Sequence, residues 1–232
     1  MKKNQKVKIT KNGPYLVSGN IPLTKEIAEV GAGGCPEKWV KGKKYPPQES
    51  YALCRCGRSK NKPYCDSSHL SNGFDGTETA SKDKYLNAAE RISGPELDLT
   101  DQVELCSSAR FCDLGGGTWD NVENSNIPKA KKLAIQTACN CPAGRLVVWD
   151  KKTKKPIEPE FEPSIGIIED PQEQVSGPLW LKGGVELEAA DGAKYETRNR
   201  MTLCRCGRSN NKPFCDGSHI PAQFDDGDEN LK

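Results

Sequence analysis

The chain has 232 residues, 34% of them hydrophobic and 6% aromatic, with 22 Gly, 16 Pro and a mean hydropathy of −0.73. So little apolar material excludes a large core and calls for another source of cohesion, which in small domains is commonly a disulfide or a metal. The formal charge of +2 excludes a general attraction to nucleic acid or anionic membrane, and no run nears the roughly 18 apolar residues of a membrane span.

From the N-terminus, the basic run MKKNQKVKITK reads as a solvated end, with no apolar stretch behind it to make a secretory signal. Gly13-Pro-Tyr-Leu-Val-Ser-Gly-Asn-Ile-Pro-Leu23 reads as two short strands around a Gly-containing turn, a hairpin. Next comes Leu53-Cys-Arg-Cys-Gly-Arg-Ser-Lys-Asn-Lys-Pro-Tyr-Cys-Asp-Ser-Ser-His69. Residues 81–91 predict a short helix stopped by Gly94-Pro95, and 129–137 a second helix with Pro128 in its first turn. Residues 145–149 read as a strand, with Gly115-Gly-Gly117 and 156–163 irregular and the basic run at 150–156 a solvated turn. Gly177-Pro-Leu-Trp-Leu-Lys-Gly-Gly-Val-Glu-Leu187 then echoes the hairpin. Leu203-Cys-Arg-Cys-Gly-Arg-Ser-Asn-Asn-Lys-Pro-Phe-Cys-Asp-Gly-Ser-His219 repeats the cysteine motif at a constant offset, 204 − 54 = 150. The acidic Asp225-Asp-Gly-Asp-Glu229 reads as another solvated end.

The fold class expected is therefore small α+β: two β-rich repeats around an insert with cysteines of its own. Within each repeat the candidate ligands are spaced C-x-C-x8-C-x3-H. They are Cys54, Cys56, Cys65 and His69 in the first copy, and Cys204, Cys206, Cys215 and His219 in the second. The chain has 2 His, and both occupy the same motif position. Cysteines one residue apart can bind one metal or two neighbouring metals, whereas a disulfide between them is badly strained. If a helix begins near Asp66 and Asp216 as N-caps, the third cysteine and the histidine share a face. Gly57 and Gly207 permit a sharp turn, Pro63 and Pro213 stiffen the return, and Arg55, Arg58, Arg205 and Arg208 offset the charge of an anionic cluster. Spacing alone leaves a zinc site of three cysteines and one histidine open beside an iron–sulfur cluster. A cytosolic protein keeps its thiols reduced, and the odd count of 11 Cys also favours metal over disulfide.

These residues resemble the CDGSH iron–sulfur domain of the mitoNEET-like proteins, whose pattern is C-x-C-x2-(S/T)-x3-P-x-C-D-G-(S/A/T)-H. The second copy fits at every position, and the first departs once, with Ser67 in place of Gly. The resemblance implies a redox-active, acid-labile [2Fe–2S] cluster in each copy, with the outer iron on the histidine. It also implies that the two copies pair within one chain as an intramolecular pseudo-dimer. Its units are 1–79 and 164–232, with the insert at 80–163.

In the insert, Cys106-Ser-Ser-Ala-Arg-Phe-Cys112 with Cys141-Pro142 resembles a divergent single-cluster ferredoxin, with Ala109 where the middle cysteine belongs. Three ligands suit a [3Fe–4S] cluster, or a [4Fe–4S] cluster with an unusual fourth ligand, for which Cys139 is the candidate. Spare cysteines in a domain without a cluster are the alternative. Cys35 stands alone, and the four Trp read as core and interface material. No nucleophile–base set or phosphate loop appears, so an enzyme is not expected. The reading is a cytoplasmic electron carrier serving a redox partner protein, with no nucleic-acid or membrane partner, monomeric or a weak homo-oligomer. A cluster store, sensor or donor to an apo-acceptor protein and a metal-stapled binding module are the alternatives.

Overall fold

The computed structural model describes residues 5–227, so the first four residues of the basic start and the last two of the acidic run, with the three residues after it, lie outside the described residues. The strands β1 Lys6–Ile9, β2 Tyr15–Ser18, β3 Leu23–Val30, β4 Pro36–Lys44 and β5 Ser50–Leu53 precede the first cysteine motif. The insert holds α1 Tyr85–Ala88, β6 Glu90–Ser93, β7 Leu97–Asp101, α2 Thr118–Glu123, α3 Pro128–Asn140, β8 Leu146–Asp150 and β9 Pro156–Ile157. Then β10 Ser164–Asp170, β11 Val175–Lys182, β12 Glu186–Glu188 and β13 Arg200–Leu203 lead into the second motif.

The strands expected within 13–23 and 177–187 are present, but the hairpins are not. β2 pairs with β1 and β5 while β3 leaves for another sheet; β11 pairs with β10 and β13 while β12 leaves for the first. Outward from the motifs, the two sheets then read alike, β5-β2-β1-β12 and β13-β11-β10-β3, with β4 added to the second. In each, the last strand comes from the opposite half and runs parallel to its neighbour, with Val7 opposite Leu187 and Ile167 opposite Lys25. An isolated hairpin of such short strands is marginal in water, and the exchange covers edges that would otherwise stay open.

The exchange also makes one core from two apolar-poor halves. Val7, Ile9, Val17 and Leu53 pack with Ile165, Leu179, Leu187 and Leu203. At roughly 1.5–3 kcal/mol for each large side chain fully buried, neither half has enough to hold itself. Charge is buried along the same seam. Lys25 and Arg205 meet Glu169 and Asp226, all at most 4% exposed in their side chains. The acidic end is thus not wholly solvated as expected: Asp226 folds back to Lys25 at 3.0 Å and to Arg205.

In the insert, β6-β7-β8-β9 form an antiparallel sheet covered by α2 and α3 over Leu97, Leu99, Val122, Ala134, Ala138, Leu146 and Val148. The helix expected over 81–91 shrinks to α1, because β-branched Ile92 continues into a strand with Leu99 opposite. α3 starts at Pro128 as expected, whereas α2 is too short to show a helical period in the sequence. Arg200 of β13, 1% exposed, donates to the carbonyls of Ala138 (2.6 Å) and Cys141 (2.7 Å) at the end of α3. A cation on the open carbonyls of a helix C-terminus is favourable twice over, by hydrogen bonding and by charge. Trp39 of β4 packs its ring, tilted, against Phe111 at 4.6 Å and Trp180 at 5.1 Å, and so joins all three segments. Among the described residues, no helix is long and apolar enough to cross a membrane.

The copies meet at their C-x-C turns. A Cβ at Gly57 would lie 2.5 Å from the Cys206 carbonyl oxygen, and one at Gly207 2.6 Å from that of Cys56. Both glycines have positive φ, 74° and 78°. Gly57→Ala is therefore expected to cost more than Gly73→Ala, whose φ is also positive but whose Cβ meets nothing within 4 Å. Chemical denaturation should show the excess, on the order of 1–3 kcal/mol. At the β1–β12 junction, Lys8 and Lys6 hold the Glu188 carboxyl down at about 2. Its contribution is complete above the unfolded value of about 4.3 and lost as pH falls through about 2. Melting curves should place Glu188→Gln a few degrees below the parent at neutral pH and level with it near the lower limit.

Candidate metal centres

Each motif closes on itself before any metal is considered. The Cys54 N–H donates to the Pro63 carbonyl and that of Cys204 to Pro213, both at 2.8 Å. The Cys65 and Cys215 N–H groups donate to Ala52 and Thr202 at 2.9 and 3.0 Å, continuing the β5 and β13 edges into the loop. Ser59 and Ser209, at the S/T position of the motif, are hubs of this closure. Each hydroxyl donates to the carbonyl before the third cysteine, Tyr64 at 2.6 Å and Phe214 at 2.7 Å, and accepts an N–H from Asn61 or Asn211 at 3.0 Å. Asp66 and Asp216 do not cap an α-helix as expected. They clamp two parts of the loop, accepting the N–H of Lys60 or Asn210 at 2.8 Å and of Ser68 or Ser218 at 3.0 Å. Only a 3-10 turn, Ser68–Leu70, forms in the first copy.

The predicted ligands come together as two pairs per copy. Cys54 Sγ lies 3.8 Å from Cys56 Sγ, and Cys204 Sγ 3.7 Å from Cys206 Sγ. Cys65 Sγ is 3.5 Å from His69 Nδ1, and Cys215 Sγ 3.4 Å from His219 Nδ1. A tetrahedral metal with bonds of about 2.3 Å to sulfur and about 2.0 Å to nitrogen spaces its donors about 3.8 Å (S···S) and about 3.5 Å (S···N) apart. Each pair therefore has the bite of one metal, and Nδ1 is the histidine nitrogen turned to it. Among the described residues, no three Cys, His, Asp or Glu side chains converge as the donors of a single ion would. The donor set fits two neighbouring metals per copy.

Burial pushes the Cys54 and Cys215 thiols up, whereas the hydrogen bond with Cys206 holds Cys204 down at about 6; binding of a cation would displace the protons of all of them. Burial, with Arg205 beside it, holds the His219 imidazole down at about 4, the neutral form that has a lone pair to offer. Backbone N–H groups of Arg58 and Arg208 approach Cys56 and Cys206 Sγ at 3.4 Å, that of Ser67 approaches Cys65 Sγ at 3.4 Å, and Asn72 Nδ2 approaches Cys56 Sγ at 3.6 Å. The arginine side chains act otherwise than expected. Arg55 donates to the Gly76 carbonyl at 2.6 Å and lies over Tyr15 and Phe74, Arg205 is committed to Glu169 and Asp226, and Arg58 and Arg208 are exposed.

The two copies differ in cover. Cys65 and His69 are half-buried and Leu70 is 80% exposed, whereas Cys215 is 2% and His219 4% exposed. The insert supplies the difference, and it has a site of its own. Cys106, Cys112 and Cys141 line one cavity of about 280 Å³, with Ala109 in its wall where a fourth cysteine would stand. Arg145 also faces it, held by Asp101 at 2.6 and 2.8 Å. Burial raises the Cys112 thiol to about 12. Three thiols and a cation around one partly open cavity fit an anionic cluster. Cys139 is not part of it: it sits inside the last turn of α3, and its thiol points to the Ile157 carbonyl at 3.7 Å. Asp113, whose carboxylate lies 3.5 Å from Cys112 Sγ, lines the cavity instead, a ligand type not considered from the sequence.

Residues 12–70 and 176–220 match the family described as iron-binding zinc finger, CDGSH type. Residues 92–151 match the divergent 4Fe–4S mono-cluster family. No curated protein and no solved structure matches the chain. Four metal-spaced donor pairs and a three-thiol cavity fall within these stretches, so the chain carries two regions of the CDGSH iron-binding type on either side of a region of the divergent 4Fe–4S mono-cluster type.

Proposed function

We propose that the chain is an electron carrier rather than an enzyme. It would hold a [2Fe–2S] cluster in each CDGSH copy and a third, [3Fe–4S] or [4Fe–4S], at Cys106, Cys112 and Cys141. The observation that carries this reading is the pairing of donors at one-metal distances, repeated in both copies, with a third thiol site in the same chain. A single zinc per copy would gather four donors about one point, and the pairing disfavours it. Such clusters, when bound, take up and release single electrons. The protein's part is to hold four ligands without rearrangement, donate N–H groups to the sulfurs and keep one histidine dry, all of which tune a potential. The strands exchanged between the sheets support an intramolecular pseudo-dimer. A redox partner protein in the cytosol, where thiols stay reduced, completes the reading.

Cluster donation to an apo-acceptor protein is the second reading, favoured by the half-buried His69 edge of the first copy. Anaerobic iron and sulfide analysis with EPR tests the assignment. Seven or eight irons per chain, against about four if the insert is empty, are expected; zinc in place of iron would sink it. His69→Cys and His219→Cys should keep iron and lower the potential of their own cluster, because a thiolate donates more charge than an imidazole. If His69→Cys leaves the potentials alone but stops transfer to an apo-acceptor, donation is the function.

A further inference from the structure

The insert's cavity and the second CDGSH site share a wall. Gly217, between Cys215 and His219, lies against the cavity rim: a Cβ there would overlap Ser108 Oγ and come within 3.9 Å of the Cys106 carbonyl oxygen. Loops carrying a ligand of each site are thus in van der Waals contact. Three tethers hold them. Asn211 Nδ2 donates to the Glu104 carbonyl at 2.8 Å. Arg110 pairs with Asp170 at 2.9 Å and Glu173 at 3.0 Å. Arg200 donates to the Cys141 carbonyl at 2.7 Å.

The first copy lacks all of this. Its counterpart of Gly217 is Ser67, exposed and at φ 69°, its counterpart of Arg200 is Ser50, and its Asn61 is exposed. The one departure of the first motif from the family pattern therefore has a physical reason. A serine is tolerated where the turn faces solvent, and glycine is required where Ser108 presses on it.

Resting on the electron-carrier reading, we propose that the second copy has its redox partner inside the chain. The loop at 106–110 is a permanent interface across which one electron passes between the insert's site and the second CDGSH site, and the first copy meets external one-electron carriers. One side is oxidised by one electron and the other reduced by one; no bond forms or breaks and no proton need move. The electron is supplied from outside by a one-electron donor protein, replaced by dithionite in the test.

Gly217→Ser separates this proposal from a general loss of fold. Ser67 shows that the turn accepts serine, so the only new element is the collision with Ser108, and Gly217→Ser/Ser108→Gly removes it again. Full-length holoprotein is handled anaerobically, and its iron and sulfide are assayed first. Iron release to bathophenanthroline disulfonate should be biphasic, with the fast phase abolished by Cys65→Ser. Gly217→Ser should speed the slow phase several-fold, and the double variant should restore it. EPR of the dithionite-reduced protein should show magnetic coupling between the second and insert sites, weakened by Gly217→Ser and recovered in the double variant. Equal release from both copies, or a slow phase and coupling unmoved by Gly217→Ser in a protein with full iron, would overturn the interface while leaving the carrier reading intact. Iron at the level of the CDGSH sites alone would overturn both.

Discussion

β12 and β3, each given to the sheet of the opposite half, are what bring two metal motifs 150 residues apart into one body. Neither repeat half keeps a core to itself: the exchange lets eight short strands share one, beside the smaller core of the insert. It also sets the C-x-C turns back to back, so closely that only glycine fits at positions 57 and 207. The paired orientation of the motifs follows: the C-x-C sides face each other, and the histidine loops lead outward.

What happens at the outward ends differs. The first histidine loop meets solvent and the second meets the insert. Arg200, Arg110 and Asn211 convert a second copy of one motif into a docking face for the insert, using a helix C-terminus, a carboxylate pair and a loop carbonyl. Two motifs with the same four donor residues thereby acquire different surroundings, and surroundings as well as ligands govern the properties of a metal centre.

The charged seam along β3 and β10 shows how such an arrangement tolerates polar residues inside. Lys25, Arg205, Glu169 and Asp226 offset one another, so no member is a bare buried charge. A set like this contributes little net stability but makes other registers costly, because any slip leaves an uncompensated ion.

The donor pairs were legible because a short motif carries its own geometry. Two cysteines one residue apart, and a cysteine with a histidine four residues on, lie within reach of one metal through local backbone alone, and the repeat supplied a second instance. α3 was legible for the same reason, through its period and Pro128. The strand partners were not: Tyr15–Ser18 and Leu23–Val30 look like a hairpin, and only burial of a shared core decides that they part. Cys139 was the candidate for a fourth ligand beside Cys141, and the direction of the last helical turn, which spacing does not reveal, turned its thiol away. By itself the sequence determined the donor pairs within each repeated motif; the tertiary structure decided which of the insert's cysteines share a cavity, which motif faces solvent and which faces the insert, because burial and contact between residues far apart in the chain are properties of the packed whole.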